Sequence, residues 1–150
     1  MPTQSDMFAD RIRRHRPLIV LLGPTAAGKS AVAVQVAKRY GTEILTADSR
    51  QVYRGMDIGT DKPSEAERRG VVHRLIDLAD PDQPFNTGEF RRHAVAEITR
   101  LHREGKVPLL VGGTGLYYRA LTRGFFPGPA RDHELRARLE HVADRRGPEY

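Results

Sequence analysis

The chain has 150 residues, of which 39% are hydrophobic, and its 25 lysines and arginines against 19 aspartates and glutamates give it a formal charge of +6. This length fits one domain, and the lack of a long uninterrupted apolar stretch excludes a transmembrane protein and predicts no membrane partner. The absence of cysteine excludes disulfides, thiolate zinc sites, iron–sulfur clusters and cysteine nucleophiles, which favours a cytoplasmic location.

The first 16 residues carry Asp6 and Asp10 and lack the apolar segment and cleavage site of a signal peptide. We interpret residues 1–16 as a flexible, solvated tail and residues 17–150 as the folded domain. The positive charge fits a phosphate-rich partner such as RNA or a nucleotide, because a basic surface concentrates polyanions. Basic and acidic residues are interleaved along the chain, however, so charge alone does not identify the partner.

The first part of the domain predicts two strands joined by a helix. Leu18–Leu22 is a continuous apolar run, which is typical of a strand buried on both faces of a parallel sheet. Residues 29–40 predict a helix that ends at Gly41, a residue favoured at helix C-termini. Residues 43–46 predict a second strand.

Residues 47–72 predict a long loop with a short helix near residues 64–69, and long loops in small domains tend to be functional. The later apolar patterns predict strands over residues 74–78 and 107–111 and helices over residues 87–103, 115–122 and 132–146. Strands that alternate with helices predict an α/β fold whose mainly parallel sheet is flanked by helices. No closing element follows, so we expect the natural domain or a partner domain to continue beyond residue 150.

Residues 23–30, GPTAAGKS, match the phosphate-loop pattern G-x-x-x-x-G-K-[ST] and lie between a predicted strand and a predicted helix. The glycines let the backbone turn its N–H groups towards an anion, and the helix N-terminus adds its positive dipole end. Lys29 supplies a charge for the terminal phosphate, and Ser30 is placed to hold Mg²⁺. The motif predicts a domain similar to P-loop NTPases. Its predicted diphosphate- or nucleotide-binding residues are Gly23, Pro24, Thr25, Ala26, Ala27, Gly28, Lys29 and Ser30.

The acid that usually steadies the metal in P-loop hydrolases is missing. The candidate strand over residues 107–111 ends in Gly112-Gly113-Thr114 instead, which argues against an NTP-hydrolysing motor. Asp48 follows the strand over residues 43–46, and the carboxyl ends of parallel strands face one crevice, so Asp48 should point at the ligand. Asp48 is therefore a candidate general base, with a turn cap as an equal alternative.

Several other residues carry two interpretations. Gly112 and Gly113 permit a ligand or nucleic acid to approach closely, but a tight turn also needs glycine, and Thr114 beside them is equally ambiguous. Tyr117 and Tyr118 could stack on a base, although one buried and one surface ring is the favoured interpretation. No histidine shows metal-ligand spacing, and none is assigned a role: His15, His73, His93, His102, His133 and His141.

Four ordered motifs of the chain resemble those of tRNA dimethylallyltransferases, also called tRNA isopentenyltransferases. They are GPTAAGKS, DSRQVYRGMDIGTDKP (48–63), HRLIDLADP (73–81) and VGGTGLYYRAL (111–121). The resemblance covers residues 17–147 and corresponds to the N-terminal half of that family. It implies transfer of a dimethylallyl group from dimethylallyl diphosphate to N6 of adenine 37, beside the tRNA anticodon, with release of diphosphate. A diphosphate in place of ATP fits the missing acid, because no γ-phosphoryl group is transferred.

The resemblance also implies roles for individual residues. Thr25–Ser30 would bind the diphosphate together with Mg²⁺, and Asp48 would accept the proton from N6. The implied tRNA contacts are Asp48, Ser49, Arg50, Gln51, Thr114 and Arg136. The implied partners are dimethylallyl diphosphate and the anticodon arm of tRNA, whose target adenine leaves the base stack. Members of the family often act as monomers.

The sequence departs from the family at its C-terminal side. The C-terminal part of the family fold, with a further arginine motif near the diphosphate and a helical region for the anticodon arm, is missing from these 150 residues. Two alternatives to the transferase remain open. A P-loop small-molecule kinase also places an acid after its second strand, and an inactive fragment could still bind a nucleotide or RNA.

Overall fold

A parallel sheet forms the centre of a computed structural model of the chain, which describes residues 4–125 and 132–147. Its strands are β1 (Ile19–Leu22), β2 (Ile44–Ala47), β3 (His73–Arg74) and β4 (Leu109–Gly112). They lie in the order β1-β4-β2-β3, and every pair is parallel. The predicted α/β class is confirmed, and the order places the ends of β1, β4 and β2 side by side.

The helices are α1 (Gln4–His15), α2 (Lys29–Tyr40), α3 (Glu65–Arg68), α4 (Thr87–Arg103), α5 (Gly115–Arg123) and α6 (His133–Arg146). Local signals explain two of their boundaries. At the start of α4, the Asn86 side chain accepts from the Glu89 N–H while Glu89 accepts from the Asn86 N–H, which is a capping box. α2 ends at Gly41, whose φ of +60° suits glycine. The predicted bounds of both helices are confirmed.

Each face of the sheet is covered by a separate hydrophobic cluster, because successive residues of a strand point to opposite faces. Leu45 and Leu110 pack with Phe90 of α4 and Tyr117 of α5 on one face. The neighbouring strand residues face the other way and pack against α2; this second cluster includes Ile44, Leu109, Val111, Ala33, Val34 and Ala37. The central strands are buried on both sides, as their uninterrupted apolar sequences predict.

The strand predicted over residues 74–78 is wrong for most of its length, because β3 comprises only His73–Arg74. Leu75 and Asp77 have φ values of +64° and +55°, in the left-handed region, and this conformation ends the strand. The Asp77 backbone N–H donates instead to the Gln51 carbonyl oxygen at 3.2 Å. The chain therefore leaves the sheet to pair with the loop that follows β2.

The structure differs from the solvated tail expected over residues 1–16, since Gln4–His15 form α1. Ile12 of this helix is only 5% exposed, and the Arg13 side chain donates to the Arg103 carbonyl oxygen at 3.2 Å. The packing of α1 on α4 and the burial of Ile12 favour the helix, and so do Asp6 in its first turn and the basic residues in its last turn. Residues 1–3 of the expected tail lie outside the described residues, and the boundary at residue 17 stays a prediction.

Over the described ranges 4–125 and 132–147, no helix combines the length and the apolar character needed to cross a membrane.

Candidate active site

A cleft of about 480 Å³ opens at the carboxyl ends of β1, β2 and β4. Residues 59–61 and Pro63 of the long loop also line it, and it extends along the α2 face of the sheet as far as His73. Parallel strands bring their carboxyl ends to one edge of a sheet, which is why distant segments meet here. The lining residues from the three strand ends are Pro24, Thr25, Lys29, Ser30, Asp48, Ser49, Arg50, Gln51, Gly113 and Thr114.

The phosphate loop has the backbone that its sequence predicts. Ala26 and Gly28 have φ values of +63° and +75°, which turn the loop sharply before α2. No side chain caps the N-terminus of α2, and its first turn contains no acid, so neither satisfies the backbone N–H groups there. The Lys29 ammonium donates to the Pro24 carbonyl oxygen across the loop. This arrangement provides an anion site of helix dipole, N–H groups and one cation.

The loop residues divide between two cavities. An adjoining cavity of about 320 Å³ is lined by Ala26, Ala27 and Gly28 and shares Lys29 and Ser30 with the main cleft. Gly23 lines neither cavity. Ser30 thus lies where the two cavities meet.

Asp48 caps a turn and also lines the cleft, and its role as general base stays a prediction. Its Oδ1 accepts from the backbone N–H groups of Arg50 at 2.8 Å and Gln51 at 3.4 Å, so it caps the turn after β2. The residue also lines the cleft, and its Oδ2 has no partner among residues 4–125 and 132–147. One oxygen therefore orients the carboxylate while the other remains available to accept a proton.

Thr114 links the ends of β4 and β2. Its hydroxyl accepts from the Ser49 backbone N–H at 3.1 Å, and its own N–H donates to the Ala47 carbonyl oxygen at 3.3 Å. Gly112 beside it is needed for close approach of two strands, since an added Cβ would lie 2.1 Å from the Ala47 oxygen. Gly112 thus serves backbone packing, and Thr114 fixes the segment that carries Asp48.

The sequence matches the family described as IPP transferase over residues 51–150. The chain belongs to the IPP transferase family.

Relatives of this IPP transferase chain extend the match across the phosphate loop. It is 52% identical over 135 residues to the tRNA dimethylallyltransferase of Symbiobacterium thermophilum, covering 89% of this chain and 42% of the relative. It is 52% identical over 132 residues to the tRNA dimethylallyltransferase of Geobacter metallireducens, covering 88% of this chain and 43% of the relative. The chain therefore spans less than half the length of these curated relatives.

Solved structures show the same relationship. The full-length tRNA isopentenylpyrophosphate transferase of Bacillus halodurans superposes with a TM-score of 0.73 at 44% identity, over 88% of this chain and 44% of that one. A eukaryotic dimethylallyltransferase, described as acting on tRNA, superposes with a TM-score of 0.73 at 30% identity, over 83% of this chain and 32% of that one. The IPP transferase fold is thus shared over nearly all of the chain.

Arg136, a predicted tRNA contact of this IPP transferase chain, lies on α6 and does not line the cleft. Its guanidinium pairs with Glu140 at 2.8 Å, and both side chains are exposed. Two apolar side chains of α6, Leu135 and Leu139, are exposed as well, at 49% and 60%. Of the two tyrosines of α5, Tyr117 is the buried ring that was expected, packed against Phe90 with ring centroids 3.9 Å apart. Tyr118 is half-buried against the same core rather than a surface ring. Burial first, then nearby negative groups, raises the pKa of Tyr117 to about 12.

Gln51 and the adjoining loop hold each other in place. The Gln51 side chain is buried, and its Nε2 donates to the carbonyl oxygens of Thr60 at 3.0 Å and Asp61 at 2.9 Å. Both amide N–H groups are therefore used inside the IPP transferase chain. Only the Gln51 amide oxygen remains for the predicted contact with RNA.

Lys62 is a buried residue beside the cleft, between the lining residues Asp61 and Pro63, and the sequence interpretation missed it. Its side chain is 3% exposed, and its ammonium donates to Asp57 and Asp77, both at 2.7 Å, and to the Tyr53 carbonyl oxygen at 2.8 Å. Burial acts to lower the pKa of Lys62, but the hydrogen bonds to the two aspartates outweigh it and raise that pKa. The lysine therefore ties the long loop to the segment after β3. The signal in the sequence that could have indicated this role is a lysine among several acids in a long loop.

We expect Lys62→Met to destabilise the protein by about 2–3 kcal/mol, because it removes hydrogen bonds made by a buried charge. Urea unfolding measures the effect. Lys106→Met is the control, since the Lys106 side chain is 38% exposed and its pairing with Glu104 should contribute about 0.5 kcal/mol or less. Equal unfolding midpoints for the two variants would show that the buried lysine does not hold the loop.

His73 was left without a role, and the structure places it at the far end of the cleft. Its Nδ1–H donates to the Val71 carbonyl oxygen at 3.0 Å, and burial, with the nearby Arg68 charge, lowers the pKa of its imidazole. Within the described residues, no group of three or more histidine, aspartate or glutamate side chains could hold a metal ion. The absence of a histidine metal site stays a prediction, and the His133 side chain lies outside the described residues.

Proposed function

We propose that the chain carries the catalytic cleft of a tRNA dimethylallyltransferase, which transfers a dimethylallyl group to N6 of adenine 37 and releases diphosphate. The observation that supports this most directly is the cleft itself, where the phosphate loop faces Asp48 and Thr114. The printed names of the relatives, tRNA dimethylallyltransferase among them, agree with it. The partners are dimethylallyl diphosphate and the anticodon arm of tRNA. The chain acts as a monomer in the cytoplasm, a location that the absence of cysteine favours.

The phosphate loop holds the diphosphate. The N-terminus of α2 and the Lys29 ammonium face the negative charge that develops on the leaving group, which is where electrostatic stabilisation lowers a barrier. The Ser30 hydroxyl fits Mg²⁺, because Mg²⁺ commonly takes one or two protein oxygens and completes its shell with phosphate oxygens and water. When bound, Mg²⁺ would neutralise part of the diphosphate charge.

Asp48 accepts the proton of the reacting amine. The N6 nitrogen attacks the allylic carbon, the carbon–oxygen bond to diphosphate breaks, and its electron pair leaves with the diphosphate. The N6 proton passes to the Oδ2 of Asp48, whose other oxygen is held by the turn. Ser49, Arg50 and Thr114 surround the same position and contact the extruded adenine. Arg136 contacts the tRNA away from the cleft.

The experiment measures transfer of a labelled dimethylallyl group from its diphosphate to unmodified tRNA in the presence of Mg²⁺. Lys29→Ala is expected to lower the rate about 10²-fold or more, because it removes a charge aimed at the leaving group. Lys38→Ala, in the last turn of the same helix, is the matched control and should keep the wild-type rate.

Two results would contradict the transferase. The first is phosphoryl transfer from ATP to a small molecule with indifference to dimethylallyl diphosphate, which would indicate a kinase. The second is absence of dimethylallyl transfer both by the chain alone and by the chain mixed with the C-terminal remainder of a relative, which would indicate an inactive fragment.

A further inference from the structure

Ile58 is the most exposed large apolar side chain in the described part of the molecule, with 99% of its surface accessible. It lies at the tip of the loop between β2 and α3, and the neighbouring Met56 is 39% exposed. An isolated exposed apolar residue is ordinary on a mobile surface loop. The loop that carries Ile58 is not of that kind.

Hydrogen bonds on both sides hold the tip of this loop in one conformation. The Thr60 hydroxyl donates to the carbonyl oxygens of Met56 and Asp57, and Gln51 binds the Thr60 carbonyl oxygen. The Asp57 carboxylate is paired with the buried Lys62 at 2.7 Å. Ile58 is therefore held away from the protein surface by its neighbours and cannot collapse onto it.

The tip borders the cleft. Gly59, Thr60 and Asp61 follow Ile58 directly in the chain, and all three line the cleft together with Asp48. Arg50, at the same opening, is exposed and makes no ion pair within residues 4–125 and 132–147. The Asp57 carboxylate beside the tip is paired with Lys62, which Asp57 shares with Asp77, and Asp61 lines the cleft. Arg50 therefore supplies the cation that a polyanion can contact near the tip.

We propose that Ile58 is an RNA-contacting wedge, which packs against the bases of an RNA loop beside the gap left when a neighbouring base enters the cleft. This inference rests on the proposed function. Extruding a base removes its stacking partners, and apolar side chains inserted beside a gap of this kind offset part of that loss. A narrow tip of one side chain fits a gap between bases better than a protein interface, which needs a broad contiguous surface.

The test compares binding of an unmodified anticodon stem–loop RNA by the wild-type chain and by Ile58→Ala, with inorganic diphosphate and Mg²⁺ present. The variant should bind about 10-fold more weakly, because it loses burial of most of one apolar side chain. Ile58→Leu should bind as the wild type does. Val95→Ala, which truncates a side chain 42% exposed on α4, is the matched control and should also bind as the wild type does.

A second readout reports on the base itself. With 2-aminopurine at the target position, fluorescence should rise when the wild-type chain binds and should rise less with Ile58→Ala. Since Ile58 makes no buried contact, both variants should melt as the wild type does, and diphosphate binding should be unchanged.

Three results would overturn the wedge. Equal RNA affinity and fluorescence for wild type and Ile58→Ala would overturn it and leave the proposed function standing. Loss of binding to the C-terminal remainder of a relative, with RNA affinity unchanged, would assign Ile58 to a protein contact instead. No binding of RNA by the wild-type chain, either alone or mixed with the C-terminal remainder of a relative, would overturn both proposals.

Discussion

Asp48→Asn is expected to slow dimethylallyl transfer by about 10²–10⁴-fold, the range over which a general base contributes to a rate. The amide oxygen can still accept from the backbone N–H groups of Arg50 and Gln51, so the turn after β2 is preserved. Only the ionisable oxygen is lost. Single-turnover transfer rates and diphosphate calorimetry measure the two effects separately, and diphosphate affinity should not change.

Asp48→Ala separates the two roles of this residue. It removes the proton acceptor and the turn cap together, so it should match Asp48→Asn in rate but lose about 1 kcal/mol more stability. A wild-type transfer rate in Asp48→Asn would show that another group takes the proton. Equal stability of the two variants would show that the cap contributes little.

Gly112→Ala is expected to destabilise the protein by at least about 3 kcal/mol, because overpacking against immobile atoms is costly. The added Cβ would lie 2.1 Å from the carbonyl oxygen and 2.6 Å from the carbonyl carbon of Ala47, its register partner in β2. Neither backbone can move without separating β2 from β4. Asp48 and Thr114 follow the ends of those strands, so transfer of the dimethylallyl group should be lost as well. Urea unfolding monitored by circular dichroism measures the change.

Gly115→Ala is the matched control for this prediction. A Cβ at Gly115 meets no atom within 4 Å, and the residue begins α5, where alanine is the better helix former. The substitution should leave stability unchanged or raise it by up to about 1 kcal/mol. If Gly112→Ala and Gly115→Ala unfolded at the same urea concentration, the close approach of β2 and β4 would not limit the residue at position 112.

Much of the fold and the main elements of the site could be predicted because their signals lie between neighbouring residues. The bounds of α2 and α4 follow from an apolar period and local caps, and the phosphate loop is eight consecutive residues. Asp48 could be placed in the cleft because parallel strands end at one edge of a sheet. Membership of the IPP transferase family follows from ordered motifs, which also lie within continuous segments.

The failures of prediction share a cause. The predicted strand over residues 74–78 shortened to two residues because Asp77 turns to meet Lys62 and Gln51, which lie 15 and 26 positions earlier in the chain. The segment expected to be a tail forms α1 because Ile12 is buried near the end of α4. Both outcomes depend on which distant segment lies nearby, and no local pattern contains that information.

The amino-acid sequence by itself thus determined the α/β class, the anion-binding loop and the acid that faces it, since each depends on residues close together or on a general rule of parallel sheets. Only the tertiary structure decided that Lys62 is buried and pairs with acids of two segments. It likewise decided that the Gln51 side-chain N–H groups donate to carbonyl oxygens of the neighbouring loop. It also decided that Gly112 serves strand packing and that Ile58 is held out at the mouth of the cleft. The physical reason is that burial and hydrogen bonding belong to pairs of groups, and folding brings together pairs that the linear order of residues keeps apart.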